Sequence, residues 1–165
     1  MIVIYTDGSA RKNGSKFAEA GFGVVVYEGL PGQSIDDYTV IDAYTEKHFG
    51  ATNNQMELMA ILWAMENYGS KVGDLFSPIV YSDSMYCINS FTNWIKSWKA
   101  NGWTRPKNKP LENKELMQKY DKMTTEGIQI DLRYIKGHAG EKGNELADML
   151  ATGKVTVEQV LNGEV

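Results

Sequence analysis

Met1-Ile2-Val3-Ile4-Tyr5-Thr6-Asp7-Gly8-Ser9 is the stretch from which the fold is read. Residues 2–6 are almost continuously apolar and rich in β-branched side chains, with none of the alternation expected of a strand that wets one face. Such a strand belongs inside a sheet covered on both sides. It runs directly into Asp7, and a carboxylate at the end of a buried strand is costly unless something compensates it.

Working outward, Arg11-Lys12-Asn13-Gly14-Ser15 reads as a turn and Phe22–Tyr27 as a second strand. Leu30-Pro31-Gly32-Gln33-Ser34 supplies turn residues, and Tyr38–Phe49 alternates as a third strand. Three strands on short loops suggest an antiparallel meander. The period then changes. In Asn54–Tyr68 the residues Leu58, Ile61, Leu62 and Met65 recur at helical spacing and predict one apolar face. Ser77-Pro78 restarts the chain before a short strand, Ile79-Val80-Tyr81, and a helix over Met85–Phe91. After a Trp- and Lys-rich segment, Leu111–Met123 is predicted helical with Leu116 and Tyr120 on one side. Ile128, Ile130 and Leu132 alternate as a fifth strand, and Gly137-His138-Ala139-Gly140 is a loop. Asn144–Ala151 is a helix with Leu146, Met149 and Leu150 inward, and Val155–Val165 is one weak helix. The order predicts an α/β domain: a mixed sheet with helices on its faces.

The chain of 165 residues is long enough to close one core and is expected to be a single domain, 1–165. Apolar residues at 42% and charged ones at 23% fit a soluble globular protein, with no apolar run of the roughly 20 residues a membrane span needs. Met1 leads straight into the first strand, so no targeting segment is expected and a cytoplasmic location follows. The single Cys87 reads as a buried thiol. A net charge of −4 argues mildly against a nucleic-acid ligand, but its distribution argues the other way. From Trp94 to Lys114 there are Lys96, Lys99, Arg105, Lys107, Lys109 and Lys114 against Glu112 alone, a net of +5 that leaves −9 for the remainder. A basic island on an acidic body is a candidate phosphate-binding surface; a solvated loop is the plain alternative.

Four acids stand out. Asp7 and Asp83 both end apolar strands, Glu57 lies near the start of the first long helix, and Asp148 lies in the last one. Each alone has an ordinary explanation. Glu57 follows Asn54 by three, as in a capping box; Asp83 could N-cap the next helix; Asp7 precedes a glycine and could shape a turn; Asp148 could be solvated. Jointly they read differently, because open α/β sheets gather ligands at the carboxyl ends of their strands. Four converging carboxylates without Lys or Arg partners in their own motifs would repel. Hard divalent cations such as Mg²⁺ or Mn²⁺ resolve that conflict.

Tyr5-Thr6-Asp7-Gly8-Ser9, Thr52-Asn53-Asn54-Gln55-Met56-Glu57-Leu58, Ser82-Asp83-Ser84, and Gly137-His138-Ala139-Gly140 with Gly143-Asn144-Glu145-Leu146-Ala147-Asp148 resemble the successive motifs of type 1 ribonuclease H, in that family's order. Asn93–Trp103 is similar to the family's basic protrusion, which would extend over about 94–114, leaving a short tail over 153–165. The resemblance implies a five-stranded mixed sheet, three strands antiparallel and two parallel, with helices on both faces. It implies an endonuclease that cuts the RNA strand of RNA–DNA hybrids and leaves 5′-phosphate and 3′-hydroxyl ends.

By the same resemblance Asp7, Glu57, Asp83 and Asp148 are catalytic and hold two Mg²⁺ ions about 3.5–4 Å apart, with Mn²⁺ as an alternative. Glu57 would also meet a ribose 2′-hydroxyl, and His138 would assist proton transfer or product departure. Asn13, Asn53 and Asn54 match minor-groove contacts, while Thr52 and Asn113 match a pocket for a DNA phosphate. Trp94, Lys96, Lys99, Trp103, Lys107 and Lys109 complete the hybrid-binding set. Trp94 and Trp98 are expected to be partly packed, and Trp103, flanked by Gly102 and Arg105, to touch the DNA strand's sugars. Two departures stand out: Gly50 occupies the position where some members carry a phosphate-binding Arg, and the loop at 29–37 is longer and more acidic through Asp36 and Asp37. No hybrid-binding domain is expected ahead of the catalytic one, and the protein is expected to act as a monomer. A non-catalytic module of the same fold would be expected to lack a carboxylate, and an integrase- or resolvase-like nuclease would be expected to lack the His138 loop and the Trp/Lys protrusion.

Overall fold

The first strand, β1 (Ile2–Ala10), lies at the centre of a five-stranded sheet of order β3-β2-β1-β5-β9 in the computed structural model, which describes residues 1–165. β2 (Glu19–Glu28) and β3 (Thr39–Phe49) extend the sheet antiparallel on one side. β5 (Ile79–Ser82) and β9 (Asp131–Tyr134) extend it in parallel on the other. The near-continuous apolarity of β1 has a direct cause. Ile4 packs with Val24, Val26, Met56 and Ala60 on one face, and Val3 and Tyr5 pack with Val25, Leu146 and Leu150 on the other. Helix α1 (Asn53–Tyr68) therefore covers one face and α5 (Lys142–Ala151) the opposite face.

Helix α1 is apolar on two sides. Its Leu58-Ile61-Leu62-Met65 face turns away from the sheet and packs with Cys87, Phe91, Ile95, Met117 and Met123. The sheet itself receives Met56, Ala60 and Ala64, and the two small alanine side chains let the helix seat closely. The segment predicted as a helix over Met85–Phe91 is longer than that. α2 (Met85–Asn89) passes through a single π turn at Ser90–Trp94 into α3 (Ile95–Ala100), so Trp94, Lys96, Trp98 and Lys99 ride on one helical arm. A short ladder of β6 (Thr104–Arg105) and β7 (Lys109–Pro110) folds the rest of the arm back.

Two boundaries move. α4 starts at Lys114 rather than Leu111, because Asn113 takes a left-handed conformation (φ 57°) and Pro110 sits in the β6–β7 ladder; it ends at Thr125. The alternation of Ile128, Ile130 and Leu132 is genuine, since all three lie against the α1–α4 cluster, yet the ladder changes partner midway. β8 (Ile128–Gln129) pairs with β4 (Ser70–Lys71) in a separate two-stranded ladder, and only β9 joins the main sheet. The tail contains α6 (Val157–Leu161), closed by a Thr156–Gln159 capping box, with Val160 buried beneath it. The 29–37 loop includes one 3₁₀ turn at Ile35–Asp37, and Ile35 and Tyr38 pack against the α5-side core. No helix is long and apolar enough to cross a membrane.

Candidate active site

Asp7 lies within β1, opposite Gly23 of β2, and the strand continues three residues beyond it; the aspartate forms no turn. Glu57 comes from the second turn of α1. The capping box there belongs to Thr52 and Gln55: Thr52 Oγ1 accepts from Gln55 N–H at 3.1 Å and Gln55 Oε1 accepts from Thr52 N–H at 2.8 Å. The capping reading of Glu57 therefore falls away. Asp83 follows β5, but Ser84 is the N-cap of α2, accepting from Cys87 N–H at 3.2 Å, which removes the capping reading of Asp83 as well.

Freed of those duties, the side chains converge. Asp7, Glu57 and Asp83 each offer an oxygen within 4.8 Å of the others'. Asp148, half-buried in the last turn of α5, stands outside this tight triad but acts on both Asp7 and Asp83 through its charge. None of the four joins an ion pair; the salt bridges all lie elsewhere. Burial, reinforced by the Asp83 and Asp148 charges, pushes the Asp7 carboxyl up to about 7, against the lowering effect of its hydrogen bond with Glu57. Burial and then the Asp7 charge push Glu57 well above the carboxylate range. Burial also raises Asp83, opposed by the nearby His138. Glu57 Oε2 is buried with no hydrogen-bond partner. A cluster of converging carboxylate oxygens with no cationic partner and one orphaned buried acceptor fits a hard divalent cation.

A pH dependence follows. An acid whose folded pKa lies above its unfolded value contributes stability fully present below the unfolded pKa and lost as pH rises through the folded one. For Asp7 that window runs from about 4 to about 7, and the raised Glu57 carboxyl contributes with the same sign. In chelator the melting temperature should fall as pH rises from 5 to 8, and millimolar Mg²⁺ should recover most of the loss. A melting temperature that rises over that interval without metal would contradict the geometry.

The nucleic-acid candidates occupy two areas. Asn13 Oδ1 accepts from Asn53 N–H and Asn53 Oδ1 accepts from Ala10 N–H, both at 2.7 Å, so the loop after β1 is fastened to the start of α1 and the two amide NH₂ groups remain to donate. Thr52 is committed to its cap, and Asn54 lies two residues on, half-buried in the first turn. In the protrusion, Lys96, Lys107 and Lys109 are exposed, whereas Lys99 pairs with Asp121 at 3.1 Å. Asn113 Nδ2 donates to Tyr86 Oη at 3.1 Å. The tryptophans reverse the expected order of exposure. Trp94 is 44% exposed, while Trp103 is half-buried against the α1–α4 cluster because its left-handed backbone (φ 64°) turns it inward. His138 is exposed, and Cys87 is fully buried with its thiol pushed up to about 12 by burial. Around Asn13, the turn's cations Arg11 and Lys12, joined by Lys16, form a second basic surface that a count of charge along the chain finds.

Comparison with known proteins agrees with this architecture. The RNase H family model matches residues 1–156. The chain is 37% identical to ribonuclease H of Acidovorax sp. (strain JS42), covering 98% of this chain and 97% of that protein. It is 35% identical to human ribonuclease H1 over 92% of this chain, which spans about half (49%) of the human protein's length. The crystal structure of LC9-RNase H1, described as a type 1 RNase H with the type 2 active-site motif, superposes with a TM-score of 0.74 at 29% identity, covering 92% of this chain and 70% of that one. With the sheet order, the gathered carboxylates and these likenesses in agreement, the chain belongs to the ribonuclease H family.

Proposed function

We propose that this protein is an endonuclease that hydrolyses the RNA strand of RNA–DNA hybrids. In this reading Asp7, Glu57, Asp83 and Asp148 hold two Mg²⁺ ions, which Mn²⁺ can replace, and the single domain of residues 1–165 works as a monomer in the cytoplasm. The observation that carries it is the buried, unpaired Asp7–Glu57–Asp83 cluster. Relatives named ribonuclease H supply the substrate class.

The cations, when bound, supply Lewis acidity to the attacking water and to the leaving oxygen. The chain's own residues do the rest. Asp7 within β1 and Asp83 just past the end of the adjacent parallel β5 fix two oxygens at the sheet, and α1 brings Glu57 against them. Asp148 closes the cluster from α5, one turn before that helix ends. Water attacks phosphorus, the bond to the 3′-oxygen breaks, and the fragments carry 5′-phosphate and 3′-hydroxyl ends. His138, exposed in a loop and close enough to lower the Asp83 carboxyl, is placed to carry a proton at the leaving side or to help the product depart. Asn13, Asn53 and Asn54 would donate to base edges and sugars in the minor groove. Trp94, Lys96, Lys107 and Lys109 would hold the DNA strand, with Lys99 joining only by leaving Asp121. Thr52 and Asn113 would line a pocket for a DNA phosphate while keeping the cap of α1 and the bond to Tyr86, and the half-buried Trp103 would touch the DNA strand's sugars.

The test is a strand-labelled hybrid, with duplex DNA and duplex RNA as controls, incubated with and without Mg²⁺. Cleavage of the RNA strand alone, dependent on metal, with 5′-phosphorylated products, is the expected result. Cutting of duplex DNA at a comparable rate would overturn the substrate assignment.

A further inference from the structure

The segment from Ala10 to Ala18 carries Arg11, Lys12 and Lys16 and no acid. All three cations are exposed. The segment is a built loop: Ser15 N–H donates to the Lys12 carbonyl (2.8 Å), Ala18 N–H to the Ser15 carbonyl (3.0 Å), and Gly14 N–H to the Ala51 carbonyl (3.3 Å). With the Asn13–Asn53 and Ala10–Asn53 bonds, it is tied along its length to the entrance of α1, the helix that delivers Glu57. Beside the cations stand two large apolar side chains with no core to fill, Phe17 (80% exposed) and Phe49 (62%). Lys16 Nζ lies 5.4 Å from the Phe17 ring centre and Lys47 Nζ 5.8 Å from that of Phe49. Glu19, the nearest acid, is already paired with Lys47 at 3.0 Å.

Gly50 explains how the loop comes to sit there. Its φ of 76° suits glycine, and a β-carbon at this position would lie 2.8 Å from the Lys16 carbonyl oxygen. A long cationic side chain at residue 50 is excluded by the backbone of Lys16, so the loop itself brings positive charge to this edge. The sheet order then places it. Asp7 and the strand preceding Asp83 lie on β1 and β5; the loop joins β1 to β2 and leans on the end of β3, whereas the protrusion follows β5. The loop thus leaves β1 toward the β2–β3 side of the sheet, and the protrusion leaves from the β5 side.

We propose that the Arg11–Ala18 loop, with Phe49, is a second grip on the hybrid: Arg11, Lys12 and Lys16 hold backbone phosphates while Phe17 and Phe49 pack on the adjacent sugars. This rests on the hybrid-cleaving function proposed above and adds to it where the substrate is held beyond the protrusion. Cations interleaved with exposed aromatic rings suit a polyanion that also offers apolar sugar faces. The loop meets no reacting atom, so its contribution lies in affinity and footprint.

The experiment compares three proteins: wild type, Lys12→Ala/Lys16→Ala, and Lys71→Ala/Lys122→Ala, the last removing the same charge from exposed positions on β4 and α4. Hybrid affinity is measured in Ca²⁺ over a range of salt, with melting temperatures as a folding check. The loop variant should bind more weakly at low salt. Its plot of log K against log salt should flatten by about 1.8, on the calibration of about 0.9 per lost phosphate contact. The reference variant should keep the wild-type slope, and single-turnover rates at saturating enzyme should agree within about twofold. Phe17→Ser/Phe49→Ser should weaken binding without changing the slope, since it removes no charge. Equal slopes for the loop and reference variants would overturn the proposal while leaving hybrid cleavage intact. Failure of wild type to bind or cleave hybrid would overturn the underlying function instead.

Discussion

Asp7→Asn should reduce cleavage of the hybrid by on the order of 10³-fold or more, while binding in Ca²⁺ stays close to wild type. Asp7 shares the tight triad with Glu57 and Asp83, and feels the charge of Asp148 as well, so it interacts with all three other carboxylates. A carboxylate brings a full negative charge and two acceptor oxygens to a cation; an amide brings one neutral acceptor and turns a donor toward the metal. The same substitution should raise the melting temperature of the protein in chelator. It removes a charge that burial disfavours, as the upward displacement of the Asp7 carboxyl shows. Loss of activity with a gain in metal-free stability is a paired signature that misfolding cannot imitate. Near-normal turnover in Mg²⁺ would refute the assignment of these carboxylates as cation ligands.

Much of this site was legible in the sequence because the residues that make it break local rules. Asp7 interrupts a strand that is buried on both faces, and Asp83 follows another, so each was visible as a charge the fold did not require. Glu57 and Asp148 lie on ordinary helical positions and became visible only through the order of the surrounding motifs. The capping alternatives for Glu57 and Asp83 could not be dismissed from spacing, since the caps the structure uses, Thr52 and Ser84, lie only two residues before Asn54 and one residue after Asp83. What escaped was decided by tertiary packing. The apolar face of α1 identified by its period is the one that meets other helices, because the sheet side is built from Met56, Ala60 and Ala64. The Ile128-Ile130-Leu132 alternation reports a shared packing partner and says nothing about which strand supplies the hydrogen bonds. Trp103 was judged exposed from its Gly102 and Arg105 neighbours, yet its positive φ folds the ring back onto the core.

Gly8→Ala should damage both stability and catalysis, although residue 8 bears no functional group. A β-carbon at this position would lie 2.4 Å from the Glu57 backbone nitrogen and 2.6 Å from the Met56 carbonyl carbon. Both are backbone atoms in the second turn of α1, so no side-chain rotation relieves the contact. Either β1 or the entrance of α1 must move. β1 is held by antiparallel pairing to β2 along its whole length and by parallel pairing to β5 at residues 3–5, so the helix is the element that yields. Overpacking of this kind costs about 1–3 kcal/mol, and more where backbone meets backbone. The catalytic consequence follows from direction. Moving α1 away from β1 withdraws Glu57 from Asp7, and a misplacement of about 1 Å in a reacting constellation can cost on the order of 10²-fold in rate. Turnover should therefore fall by at least that factor in a variant that still melts cooperatively at a lower temperature. Ser9→Ala, one residue along the same strand, serves as the control and should change neither quantity appreciably. A Gly8→Ala protein with wild-type turnover would mean that α1 can retreat from β1 without carrying Glu57 out of the cluster, and the rigid seam between strand and helix would lose its place in the mechanism.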